Sequence, residues 1–110
     1  MKKKYRIKSS IEFTSIIKYK NFYHREGIVL YVKPKKEVCS RIGITVKNKV
    51  GNAVIRNKVK RQIRMMVKEI YKFDEEFDSI LLIKEKYLKN SYENNKNNLE
   101  RLYKQVKIKK

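Results

Sequence analysis

Two periods alternate along this chain. Residues 10–19 carry Phe13, Ile16 and Ile17 at i, i+3 and i+4, the spacing of one helix face. Ser9 precedes them and Glu12 follows three residues later, the order of a capping box. Residues 20–26 form a short polar connection with room for a brief edge strand. The period then becomes two. Over 28–33, Ile28, Leu30 and Val32 point one way, and Val29, Tyr31 and Lys33 the other. After a turn at Pro34-Lys35-Lys36-Glu37, residues 40–47 alternate again, with Ile42, Ile44 and Val46 opposite Arg41, Gly43, Thr45 and Lys47.

Beyond Gly51 the helical period returns, with Asn52 in place to cap the first turn. Ile55, Val59, Ile63, Met66, Val67 and Ile70 fall within an arc about 120° wide at ~100° per residue. Ile80-Leu81-Leu82-Ile83 is an unbroken apolar run, which predicts a strand over 79–83 covered on both faces. Tyr92, Leu99, Leu102, Tyr103 and Val106 make a last helical stripe over 90–106. The predicted order is helix, strands, helix, strand, helix: an α+β sandwich of helices on a mostly antiparallel sheet. Its 110 residues suit a single domain, 1–110, with basic tails expected to be flexible at 1–8 and 107–110.

Charge changes the meaning of the central helix. The chain carries 30 Lys and Arg against 11 Asp and Glu, a formal net charge of +19. Residues 47–72 hold nine of those bases and one acid, Glu69, and residues 53–68 hold no acid at all. Beside the apolar arc, Arg56, Lys60, Arg64, Asn57, Lys68 and Arg61 follow in angular order. A merely solvated face interleaves Glu with Lys for i,i+4 support. An acid-free one repels itself and calls for a polyanion.

The material for catalysis is thin. His24 is the only histidine and Cys39 the only cysteine, which leaves no acid–base pair, disulfide or cysteine metal cluster. Asp74, Glu75, Glu76 and Asp78 lie close together but read as a turn balancing nearby lysines. No apolar run reaches the length of a membrane span, and no signal core follows Lys2-Lys3-Lys4, so the expected location is the cytoplasm, without a membrane partner.

The stretch GNAVIRNKVKRQIR, residues 51–64, closely resembles the Arg-Asn-Arg signature of the bacterial ribonuclease P protein family, with Lys58 at the last basic position of the triplet. The element order is similar to that family over nearly the whole chain. The resemblance implies an αβββαβα two-layer sandwich, ribosomal-protein-domain-like, with a left-handed βαβ crossover where the general rule predicts a right-handed one. It also implies a tRNA 5′-maturation endoribonuclease that works as a ribonucleoprotein. In it a catalytic RNA with bound Mg2+ removes the 5′ leader of precursor tRNA, and the protein is auxiliary and contributes no catalytic residue.

By the same resemblance, Arg56, Asn57, Lys58, Lys60, Arg61 and Arg64 contact the RNA subunit. Phe13, Ile17, Tyr31 and Lys33 line the cleft for the precursor-tRNA leader, although a helical stripe such as Phe13 and Ile17 ordinarily packs a core. Ile17 stands where the family commonly has an aromatic. Tyr31 has an independent claim, because alternation puts it with Lys33, Arg41 and Lys47 on one sheet face, a plausible platform for unpaired bases. A different reading, a non-enzymatic ribosomal or ribosome-assembly protein, shares the charge but leaves the 51–64 pattern unexplained. A DNA-binding helix-turn-helix factor lacks a second short helix at motif spacing before the basic one, so DNA is not an expected partner.

Overall fold

The computed structural model describes residues 5–7 and 9–106; the expected tail at 107–110 and the first four residues lie outside them. Helix α1 (Ser10–Lys18) leads into strand β1 (Phe22–Arg25), β2 (Ile28–Pro34) and β3 (Ile42–Val46). A 3-10 turn at Asn48–Val50 precedes α2 (Ala53–Ile70), followed by β4 (Phe77–Ile83), a second 3-10 turn at Glu85–Lys89, and α3 (Tyr92–Gln105). The strands form one sheet in the order β1-β2-β4-β3. The pairs β1–β2 and β2–β4 are antiparallel, and β3–β4, joined through α2, is parallel. This is the predicted mostly antiparallel α+β arrangement.

Alternation decides which residues the sheet gives to each side. Ile28, Leu30, Val32, Leu81 and Ile83 are fully buried, packed with Val59, Ile63, Met66 and Val67 of α2 and Leu99 and Leu102 of α3. Each such side chain contributes about 1.5–3 kcal/mol when removed from water. The opposite face is covered only in part, by α1, whose Ile16 meets Ile80 and Ile7. Both faces of β4 are therefore occupied, as the run of four apolar residues predicts.

One local expectation is met and two are corrected. The brief edge strand expected in 20–26 is β1, tied to β2 by a two-residue turn in which Glu26 (φ 47°) and Gly27 (φ 83°) are both left-handed. A Cβ at Gly27 would stand 2.4 Å from the backbone nitrogen of Tyr87, so this position needs glycine for space as well as for φ.

The expected capping box does not form. Ser9 makes no side-chain capping bond, and Glu12 turns instead to the Arg41 guanidinium, a charged partner stronger than one backbone N–H. Nor does the expected flexible tail include Tyr5–Ile7. Ile7 is buried, its N–H bonds the Ile42 carbonyl at 3.1 Å, and Tyr5 stacks on Phe73 with ring centroids 4.3 Å apart. Buried Ile7 and stacked Tyr5, on either side of Arg6, hold this segment to the free edge of β3.

Candidate nucleic-acid interface

Helix α2 begins as its sequence dictates. The Asn52 side chain accepts the Ile55 N–H at 3.0 Å and satisfies one of the free donors of the first turn. Val59, Ile63, Met66 and Val67 then anchor one face in the core. That anchoring aims Asn57, Lys58, Arg61, Arg64 and Lys68 at solvent, with Arg56 and Lys60 half-buried at the border. Among the described residues no carboxylate reaches ion-pair distance of Arg56, Lys58, Lys60, Arg61 or Arg64. The one acid on the helix, Glu69, is taken by Lys96 of α3. Arg56 Nη1 donates to Asn48 Oδ1 of the preceding turn, which fixes the direction of its guanidinium. Nothing in the sequence pattern pointed to Asn48.

A second surface lies between α1 and the uncovered half of the sheet. The helix is held down on one flank by polar bonds: Lys33 Nζ donates to Ser15 Oγ at 2.6 Å, and Arg41 joins Glu12 to Asp78. On its other flank stand Phe13, half-buried, and Ile17, 37% exposed. The tip of the Phe13 ring lies against Gly43, where a Cβ would come within 2.4 Å of Cζ. The sheet beside this flank offers Tyr31, half-buried, and Phe22 of β1, 50% exposed, with ring centroids 5.6 Å apart. His24 follows Phe22 at 6.5 Å and is exposed.

Phe13, Ile17 and Tyr31 are thus brought to one groove. Lys33 lies on the far flank of α1, its amine bonded to Ser15 and 6.0 Å from the Tyr19 ring. The sequence reading assigns Phe22 no role and weighs His24 only for catalysis, taking 20–26 as a polar connection with room for an edge strand. The available signal was the Phe-x-His alternation just before a left-handed turn.

The two surfaces meet at the β3 edge. A pocket of about 130 Å³ there is lined by Arg6, Ile7, Phe13, Ile42, Gly43, Ile44 and, from α2, Arg64. One arginine of the basic flank therefore borders the Phe13 end of the groove.

The acidic turn is structural. Glu75 accepts the N–H groups of Lys72 and Phe73, the Ser40 hydroxyl and the Tyr103 hydroxyl. Asp78, nearly buried, accepts the Arg41 N–H at 2.9 Å and its guanidinium at 3.2 Å. Burial works against the Arg41 charge, but hydrogen bonds to Glu12 and Asp78 outweigh it and raise the pKa above the usual arginine value. No three His, Cys, Asp or Glu side chains converge as metal ligands among the described residues. Cys39 is a free, half-buried thiol in the β2–β3 loop. What this arrangement offers is cations for phosphates and aromatic faces for bases.

Known proteins are similar to this chain in both sequence and fold. The family described as Ribonuclease P matches residues 1–107. The ribonuclease P protein component of Mesoplasma florum is 38% identical over 104 residues, covering 93% of this chain and 94% of that protein. Its counterpart in Bacillus cereus strain AH187 is 33% identical and covers 100% of this chain and 97% of its own length. Among solved structures, a Staphylococcus aureus RNase P protein mutant with defective mRNA degradation activity superposes with a TM-score of 0.85 at 34% identity, covering 93% of this chain and 87% of that one. The RNase P protein of Thermotoga maritima superposes at 0.78 with 26% identity, over 93% and 97% of the two chains. Matched by the family over residues 1–107 and by relatives covering 93% or more of its length, the chain belongs to the ribonuclease P protein family, the protein component of the tRNA-processing ribonucleoprotein.

Proposed function

We propose that this chain docks on the catalytic RNA through the α2 flank and holds the 5′ leader of precursor tRNA in the groove between α1 and the sheet. The observation that carries this reading is the continuity of the two surfaces at Arg64, which borders the Phe13 end of the groove. A strand leaving an RNA seated on α2 enters the groove at β3 and runs across the sheet toward β1. Arg56, Lys60, Arg61 and Arg64, with Lys58 at the end of the arc, neutralise phosphates of the RNA subunit, and Asn57 bonds a backbone or base edge. Phe13 and Tyr31 stack on unpaired leader bases, and Ile17 gives a flat apolar contact. Grooves of this kind take splayed single strands, so the reading favours RNA over duplex DNA.

Magnesium belongs to this reading through the RNA. Asp78 and Glu75 are committed to Arg41 and to turn donors, and the remaining acids do not gather, so the described residues do not fit a magnesium site of their own. Cleavage chemistry stays with the RNA, and the protein's part is binding and orientation.

The test is precursor-tRNA cleavage by the cognate catalytic RNA at low magnesium, with and without the protein. A large gain at the mature 5′ end is expected; no gain from folded protein refutes the reading. Tyr31→Ala is expected to weaken precursor binding by about 1–3 kcal/mol, one stacked base, and to leave mature tRNA binding unchanged. Equal losses for both RNAs would remove Tyr31 from the leader site. Gly43→Ala is a subtler probe, because the new methyl must push the Phe13 ring off the sheet. Leader-dependent affinity is expected to fall several-fold while docking on the RNA subunit persists, as measured by separate titrations with the two RNAs.

A further inference from the structure

The β1 edge carries an aromatic that neither the core nor the groove residues above account for. Of the four phenylalanines, Phe13, Phe73 and Phe77 are half-buried or buried, whereas Phe22 is half exposed. The register explains its direction. Phe22 pairs with Tyr31 and His24 with Val29, so alternation puts both on the sheet face that α1 leaves uncovered. The rings of Tyr31, Phe22 and His24 then follow one another at 5.6 and 6.5 Å, tilted by 41° and 32°. They form a run of rings that crosses from β2 to the edge strand β1 and continues along it.

The charge around it suits a nucleic-acid strand. Lys18 and Lys20 are exposed where α1 runs into β1, and Lys84, exposed just beyond β4, follows the alternation of Ile80 and Leu82 onto the same face. Arg64 marks the entry to the groove at the β3 end, so β1 is its exit.

We infer that Phe22, flanked by His24, is a further base-stacking subsite for unpaired RNA. It takes the leader nucleotide that lies beyond the one on Tyr31, farther from the cleavage point. This rests on the groove reading above and extends it by one position. Stacking tolerates any base, so the subsite selects for leader length rather than sequence.

The experiment uses the assembled ribonucleoprotein and precursor tRNAs whose leaders lengthen one nucleotide at a time, with affinity measured for each. For the wild type, affinity rises as the leader reaches Tyr31 and again at the next one or two nucleotides. Phe22→Ala is expected to abolish the outer gain, about fivefold or more, and to bind short-leader precursors as the wild type does. Phe22→Trp keeps the gain. Phe22→Leu, which preserves apolar bulk on β1 but not a π-face, loses it, and this separates stacking from a defect in the strand. If Phe22→Ala matches the wild type at every length, or loses affinity equally at all lengths, the subsite is overturned while the groove stands on its Tyr31 dependence. If leader length has no effect on the wild type and Tyr31→Ala is silent, the groove reading falls and the subsite with it.

Discussion

Arg41→Ala is expected to lower the stability of this fold by about 3–5 kcal/mol, the usual cost of removing one partner from a buried ion pair. The Asp78 side chain is only 4% exposed, and that of Arg41 12%. Arg41 supplies Asp78 with both its N–H and its guanidinium, and the same Nη2 reaches Glu12 on α1. Truncation leaves the backbone bond but strands a nearly buried carboxylate, and it cuts the tether between α1 and β4. Glu12→Gln should cost much less, because Glu12 is 30% exposed and can turn to water. Urea unfolding measures both: the midpoint falls strongly for the first variant and slightly for the second, with the slope m unchanged. A loss below 1 kcal/mol for Arg41→Ala would mean that Ile16, Phe13 and the Lys33–Ser15 bond hold α1 without it. Because α1 forms one wall of the groove, precursor affinity should fall with it even where the protein remains folded.

Replacing Lys60, Arg61 and Arg64 together by Gln should have the largest effect on RNA binding. Each phosphate contact contributes roughly 0.7–0.9 to the slope of log K against log salt. Losing three flattens that slope by about 2 to 3, and the affinity deficit is greatest at low salt. The helix itself should survive. Gln has nearly the helix propensity of Lys and Arg, and the change relieves repulsion in a stretch that contains no acid. Titration of the catalytic RNA at several salt concentrations separates this from unfolding, since an unchanged slope would take the three residues out of the interface. Arg56 was left out of the set because its contact with Asn48 mixes a local structural bond with any contact to RNA.

Much of this protein is legible locally. The limits of α2, its Asn52 cap and its division into an apolar arc and a cationic one follow from helical period and capping chemistry alone, because each involves residues within a few positions of one another. The same holds for the alternation of β2 and β3, and for β4 covered on both faces. The 51–64 signature, which carried the family resemblance, is local too.

The groove is not. Phe22 meets Tyr31 through the local β1–β2 hairpin, but the strand order β1-β2-β4-β3, which puts the basic helix beside Phe13, depends on the β2–β4 pairing between segments some 50 residues apart. So does the choice of Glu12 between capping its own helix and bridging to Arg41: a local bond lost to a charged partner that only folding brings near. The sequence by itself determined the elements, the cationic face and the kind of ligand it needs. Tertiary structure alone decided that Lys33 lies on the far flank of α1 and that one arginine joins the groove to the basic helix, because periodicity assigns a side chain to a face but not to a neighbour.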